Sequence, residues 1–122
     1  MSFQIVWDKN NANVNFYGTL TIKDFLEANG LIYGNHRFDN MEYQIADFTD
    51  VQKIELSDED VIIISTLELS AVQWNRHVKV AHVTKNQILK DLVHVYETKM
   101  KETNWSCKLF ENLTDAKEWC AK

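Results

Sequence analysis

The chain opens in alternation. Phe3, Ile5 and Trp7 interleave with Gln4, Val6 and Asp8, the two-residue period of a strand. Residues 9–13 (KNNAN) form a turn cluster, and Val14, Phe16 and Gly18 then interleave with Asn15, Tyr17 and Thr19. This predicts two strands paired as an antiparallel hairpin. Thr21 is placed to cap a helix carrying Phe25, Leu26 and Ile32, with Asp24 as capping-box partner and Gly34 as the stop. Asn35 to Met41 reads as a polar loop. Tyr43, Ile45 and Asp47 interleave with Gln44, Ala46 and Phe48, a third strand. From Thr49 to Leu56 neither period is clean, which predicts a loop packing inward through Val51, Ile54 and Leu56.

Ser57 followed by Asp58, Glu59 and Asp60 is a helix start, a cap with carboxylates at the positive end of the dipole. The four β-branched residues Val61–Ile64 would suit a strand, but apolar positions continue through Leu67, Leu69, Ala71, Val72 and Trp74, so a helix to about Asn75 is predicted. It is apolar on more than one side. It therefore sits centrally or offers a face to a partner. Val78, Val80 and His82 mark a fourth strand. Asn86 caps a helix with Ile88, Leu89, Leu92, Val93, Tyr96 and Met100 on one stripe, running to about Thr103. Cys107, Leu109 and Phe110 mark a fifth strand, and Thr114 caps a last helix with Ala116, Trp119 and Cys120.

Strands joined by helices are parallel through right-handed crossovers. The predicted fold is α/β: one domain over residues 1–122, with a five-stranded mixed sheet of an antiparallel first strand and four β-α units. Gln44, Lys79 and Lys108 occupy the phase opposite Ile45, Val78/Val80 and Cys107/Leu109, so the helices are expected mainly on one face of the sheet.

Order and spacing carry a family resemblance. Gly18-Thr19-Leu20-Thr21 precedes the first helix, Ala46-Asp47-Phe48-Thr49 ends the third strand, and Leu56-Ser57 opens the second helix. Val80-Ala81-His82-Val83 forms the fourth strand, and Lys108-Leu109-Phe110-Glu111-Asn112 leads into Ala116-Lys117-Glu118-Trp119. Over almost its whole length the chain resembles the STAS domain (sulfate transporters and anti-sigma-factor antagonists; the SpoIIAA-like fold), in particular small stand-alone bacterial STAS/SEC14-like proteins. The resemblance implies a phospho or partner site at Ser57, with Thr49 and Asp50 beside it. Anti-sigma antagonists carry Ser-Ser-Gly there. This chain has Ser57-Asp58-Glu59, and the residues themselves read as a plain helix cap.

Composition narrows the chemistry. The formal charge is -5, from 13 basic and 18 acidic residues, with no Lys/Arg run, which argues against a nucleic-acid footprint. No apolar run spans a bilayer and no leader is visible, so a cytoplasmic protein is expected. Cys107 and Cys120 have no metal spacing and are expected as free thiols. None of His36, His77, His82 and His94 makes a ligand pair. His82, among apolar neighbours, reads as a hydrogen-bonded core residue. No metal, cofactor or catalytic group is expected. The C-terminal strand edge, Asp47, Thr84, Lys85 and Asn86, is the candidate anion or ligand site. Phe16, Phe25, Phe48, Phe110, Trp74, Trp105 and Trp119 read as core. These features point to a non-catalytic regulatory or protein-interaction module. The alternative is a small apolar-ligand or lipid-binding protein of SEC14-like type, touching membrane lipid peripherally. Homodimerisation through a helix face or sheet edge fits either.

Overall fold

The computed structural model describes residues 2–122. In order the elements are β1 (Phe3–Asp8), β2 (Asn11–Thr21), α1 (Ile22–Tyr33), a 3₁₀ turn (His36–Asn40), β3 (Tyr43–Glu55), α2 (Asp58–Trp74), β4 (Lys79–Val83), α3 (Gln87–Met100), β5 (Ser106–Phe110) and α4 (Leu113–Cys120). The sheet runs β1-β2-β3-β4-β5, with β1 antiparallel to β2 and every other pair parallel. This is the predicted mixed α/β sheet. Val61–Ile64 lie in helix α2.

The hairpin is tighter than its turn cluster suggested. Asp8 pairs with Asn11, leaving Lys9 and Asn10 as a two-residue loop with Lys9 at φ 56°, the left-handed conformation such loops demand. Asn35–Met41 is not a plain loop: residues 36–40 wind into the 3₁₀ turn, which buries Phe38. The last helix is capped by Asn112, whose side chain accepts from the Asp115 N–H. Thr114 lies in its first turn.

Thr49–Glu55 corrects the predicted loop, because strand β3 continues through it against β2. The lost period has a mechanical cause. Between Asn15↔Asp47 and Tyr17↔Asp50 the register advances two residues on β2 and three on β3, and between Gly18↔Val51 and Thr19↔Lys53 it slips again. Each extra residue turns the following side chains to the other face, so alternation cannot survive in the sequence. Gly18, at φ 67°, supplies the left-handed backbone in this stretch.

Three helices lie on one face. A large apolar core there joins Val14, Phe16, Ile32, Ile64, Val80, Leu89, Leu92 and Met100. Phe16 stacks on Phe25 and Phe48 at centroid distances of 5.1 and 5.3 Å. Helix α4 is on the other face, where Ala116 and Cys120 pack with Ile45, Ala81 and Val83. The crossover rule governs helices that connect parallel strands. α4 follows the last strand, so nothing returns it to the first face. Strand β4 is consequently buried on both sides, from Val80 through Val83. The expected phase of β3 is reversed for the same reason. Gln44 pairs with Val80 on the large-core side, and Ile45 pairs with Ala81 beneath α4. Cys107 packs against the first core and Cys120 within the second, so the free thiols lie on opposite faces.

Candidate functional site

Helix α2 has two working faces. Its N-terminus is fixed by a full capping box: Ser57 Oγ accepts from the Asp60 N–H, and Asp60 Oδ2 accepts from the Ser57 N–H. Inward it presents Val61, Ile64, Ser65, Glu68, Ala71 and Val72, a stripe at three- and four-residue spacing packed among α1, α3 and the sheet.

Glu68 is the exceptional member, a carboxyl only 3% exposed in an apolar core. Tyr96 of α3 donates its hydroxyl to Oε1 at 2.6 Å, and Asn29 of α1 donates its amide to Oε2 at 3.0 Å. The Tyr33 hydroxyl lies near this carboxyl, and it accepts from Gln44 Nε2 at 2.9 Å. Neutral donors from α1, α3 and, through Tyr33, β3 thus converge on one acid. The ion pairs among the described residues, Lys53–Glu55 and Lys90–Glu111, lie elsewhere. Burial pushes the Glu68 carboxyl up from 4.5 to about 7, against the pull of those hydrogen bonds. Tyr33 and Tyr96 are both raised well above 10, first by burial and then by the Glu68 charge.

His82 borders the same space. It lies between the Phe48 ring, near-parallel at 6.1 Å, and the Tyr96 ring, edge-on at 5.0 Å. It is buried as expected, but its Nδ1 has no hydrogen-bond partner among the described residues, which corrects the reading of a satisfied core histidine. Burial lowers its pKa from 6.5 to about 4. A cavity of about 20 Å³ lies among Glu68, Tyr33, Gln44, Tyr96 and His82. An apolar one of about 30 Å³ lies beyond, among Leu56, Val61, Ile64, Leu89 and Leu92. The first is large and polar enough for a single water, while the second offers a water too few polar partners.

Outward, α2 exposes Ile62, Ile63, Leu67, Leu69 and Trp74. Ile63, Leu67 and Trp74 recur at spacings of four and seven and so share one stripe. Trp74 is in solvent, not in the core as expected. Its indole is nevertheless held, because Nε1 donates to Asp39 Oδ1 at 2.6 Å.

The sequence-derived candidates separate into two places. Thr49, Thr84, Lys85 and Asn86 line one groove of about 190 Å³ with Phe48, Val51 and Glu111, at the C-terminal ends of β3 and β4. The polar side-chain atoms of Thr84 and Asn86 serve the backbone: Thr84 Oγ1 accepts from the Asn86 N–H, and Asn86 Oδ1 accepts from the Leu89 N–H as the cap of α3. Lys85 is exposed. Asp47 does not line the groove. It is buried and accepts from the Thr49 N–H and hydroxyl. Asp50 is exposed and accepts from Asn15 Nδ2 at 3.1 Å. Ser57 lies beyond the end of β3, about 20 Å of strand from Thr49. The expected cluster of Ser57, Thr49 and Asp50 is therefore not assembled. Among the described residues, no three His, Cys, Asp or Glu side chains gather into a metal site, and no helix is long and apolar enough to cross a membrane.

The Glu68 knot escaped sequence reasoning. One signal was available: an acid at position 68 on the inward stripe of an otherwise apolar helix.

No family model and no curated protein matches the chain. Among solved structures it is similar to an uncharacterized protein of the DUF3478 family with a SpoIIAA-like fold from Shewanella loihica PV-4. The two share 17% identity and a TM-score of 0.62, over 97% of this chain and 91% of that one. The fold is SpoIIAA-like, as the resemblance implied.

Proposed function

We propose that the protein is a non-catalytic interaction module that docks a protein partner on the outer face of α2. The observation supporting this is the stripe Ile63, Leu67 and Trp74, exposed by 46, 57 and 74% on a helix whose other side is already anchored in the core. Contiguous exposed apolar surface marks contact sites. A tryptophan held in place loses little freedom on binding, which suits it to be the energetic centre of an interface. Two strongly perturbed groups, Glu68 and His82, are closed within the core beside a cavity of about 20 Å³, which leaves no room for a substrate there. The two core cavities are short of the several hundred Å³ that an acyl chain or drug-sized ligand needs, and the larger open groove of about 480 Å³ is lined by polar and charged residues such as Glu42, His77, Lys79 and Asn104, which sets this reading above the lipid carrier.

The test compares Leu67→Glu with Leu31→Glu, a charge placed at an equally exposed leucine on α1. Both variants should keep the wild-type melting temperature. Proteins that co-purify with wild type from the source cells and bind it in direct titration should be lost with the first variant alone. Equal retention by both variants overturns the reading.

A further inference from the structure

We infer that the cavity beside Glu68 is a binding site for one water molecule, which hydrogen-bonds both His82 Nδ1 and the Glu68 carboxyl and so ties strand β4 to helices α1, α2 and α3. Two observations meet there. The first is a void of about 20 Å³ whose polar wall is Asn29, Tyr33, Gln44, Glu68, His82 and Tyr96. The second is an unmatched atom on that wall. His82 is 4% exposed, and its buried Nδ1 has no hydrogen-bond partner among the described residues. Folded proteins seldom leave a buried nitrogen so, because its lost hydration is then uncompensated. The ring cannot readily turn to find a partner, since Phe48 lies near-parallel to it and Tyr96 meets it edge-on.

The rest of the wall is matched within itself. Tyr96 and Asn29 donate to the two Glu68 oxygens, and Gln44 donates to Tyr33. Each carboxyl oxygen keeps capacity for a further bond, because a carboxyl offers about four lone-pair sites. The wall also selects its occupant. A void of this volume admits a particle the size of one water. An anion would meet the Glu68 carboxyl. A hard cation takes about six oxygens, and the Glu68 oxygens already accept from Tyr96 and Asn29. Water both donates and accepts, so it serves either tautomer of the imidazole and either charge state of the acid. The neighbouring void of about 30 Å³ is a built-in control. It shares Phe25, His82 and Tyr96 with the first, but its remaining wall is apolar, and it should stay dry.

Oxygen-17 magnetic relaxation dispersion counts long-lived internal waters in the purified full-length protein. Val80→Ile, or Ala28→Val as a second variant, adds carbon to the wall of the polar void, and the count should fall by one. Val93→Ile, which narrows the apolar void alone, should leave the count unchanged. A high-resolution crystal structure of wild type should show one water within about 3.2 Å of both His82 Nδ1 and a Glu68 oxygen. The crystal structure judges the site even where a filling variant does not fold. A count unmoved by the folded filling variants, an equal fall in Val93→Ile, or a polar void that is dry or holds a cation overturns the site. A water that touches Glu68 and leaves Nδ1 without a partner overturns the bridge.

Discussion

Glu68→Gln should raise stability, and by an amount that depends on pH. The folded chain holds the Glu68 proton to about pH 7, where an unfolded chain releases it near 4.5. Between those values the native state binds more protons, so its stability falls as pH rises, by about 3 kcal/mol once pH exceeds 7. Glutamine keeps the length and an acceptor for the Tyr96 hydroxyl, and Asn29 can rotate its amide to accept from the new NH₂. What it removes is the cost of a buried charge. Relative to wild type, Glu68→Gln should gain about 1 kcal/mol at pH 5 and about 3 at pH 8. Any constant loss of hydrogen bonding moves both figures together and leaves a difference of about 2 kcal/mol. Urea unfolding at the two pH values reads it directly, through the midpoint at unchanged slope. An equal effect at both pH values would refute the claim that the acid is buried among neutral donors.

Other substitutions carry their own signs. His82 works opposite to Glu68: its folded pKa is lowered from 6.5 to about 4, so stability present above 6.5 is lost as pH falls through that window. Wild type should therefore be nearly flat between about pH 4.5 and 6.5, while Glu68→Gln should lose up to about 3 kcal/mol from pH 6.5 to 4, measured as a urea midpoint series. Ser57→Ala removes half of the α2 capping box and should cost about 1 kcal/mol, with Ser57→Asp largely retaining the cap in thermal melts. At Gly18 an added Cβ meets nothing within 4 Å, so Gly18→Ala should cost about 1–2 kcal/mol through its left-handed backbone alone, and Gly18→Asn less. Burial pushes Cys107 up to about 12 and Cys120 up to about 11, so native thiols should react with a disulfide reagent at pH 8 at least about a hundredfold slower than unfolded ones.

The sequence was legible wherever one element obeyed one period. β1, β2 and β4 alternate, α3 carries a single stripe, and Thr21, Ser57 and Asn86 cap the helices they were expected to cap. It failed where two constraints overlapped. Residues 49–55 form a strand whose two register slips erase its alternation. Gln44 and Ile45 were assigned to the wrong faces because α4, free of any crossover, covers the second side of β3 and β4. The site was less legible still. The apolar excess of α2 foretold more than one apolar side, one of which is exposed, but Trp74 was counted as core, since nothing local distinguishes a core aromatic from an exposed one. Glu68 depends on Asn29, Tyr33 and Tyr96, which come together only in three dimensions. The strand-edge residues Thr84 and Asn86 do meet in a groove, occupied with capping.

The most direct test of α2 as the contact face is photo-crosslinking inside the source cells. A photoreactive residue would replace Leu67, with the same group at Leu31 as control, both leucines being exposed. Discrete crosslinked products from position 67 and none from position 31 are predicted. The same products from both positions, or products from position 31 alone, would contradict the account.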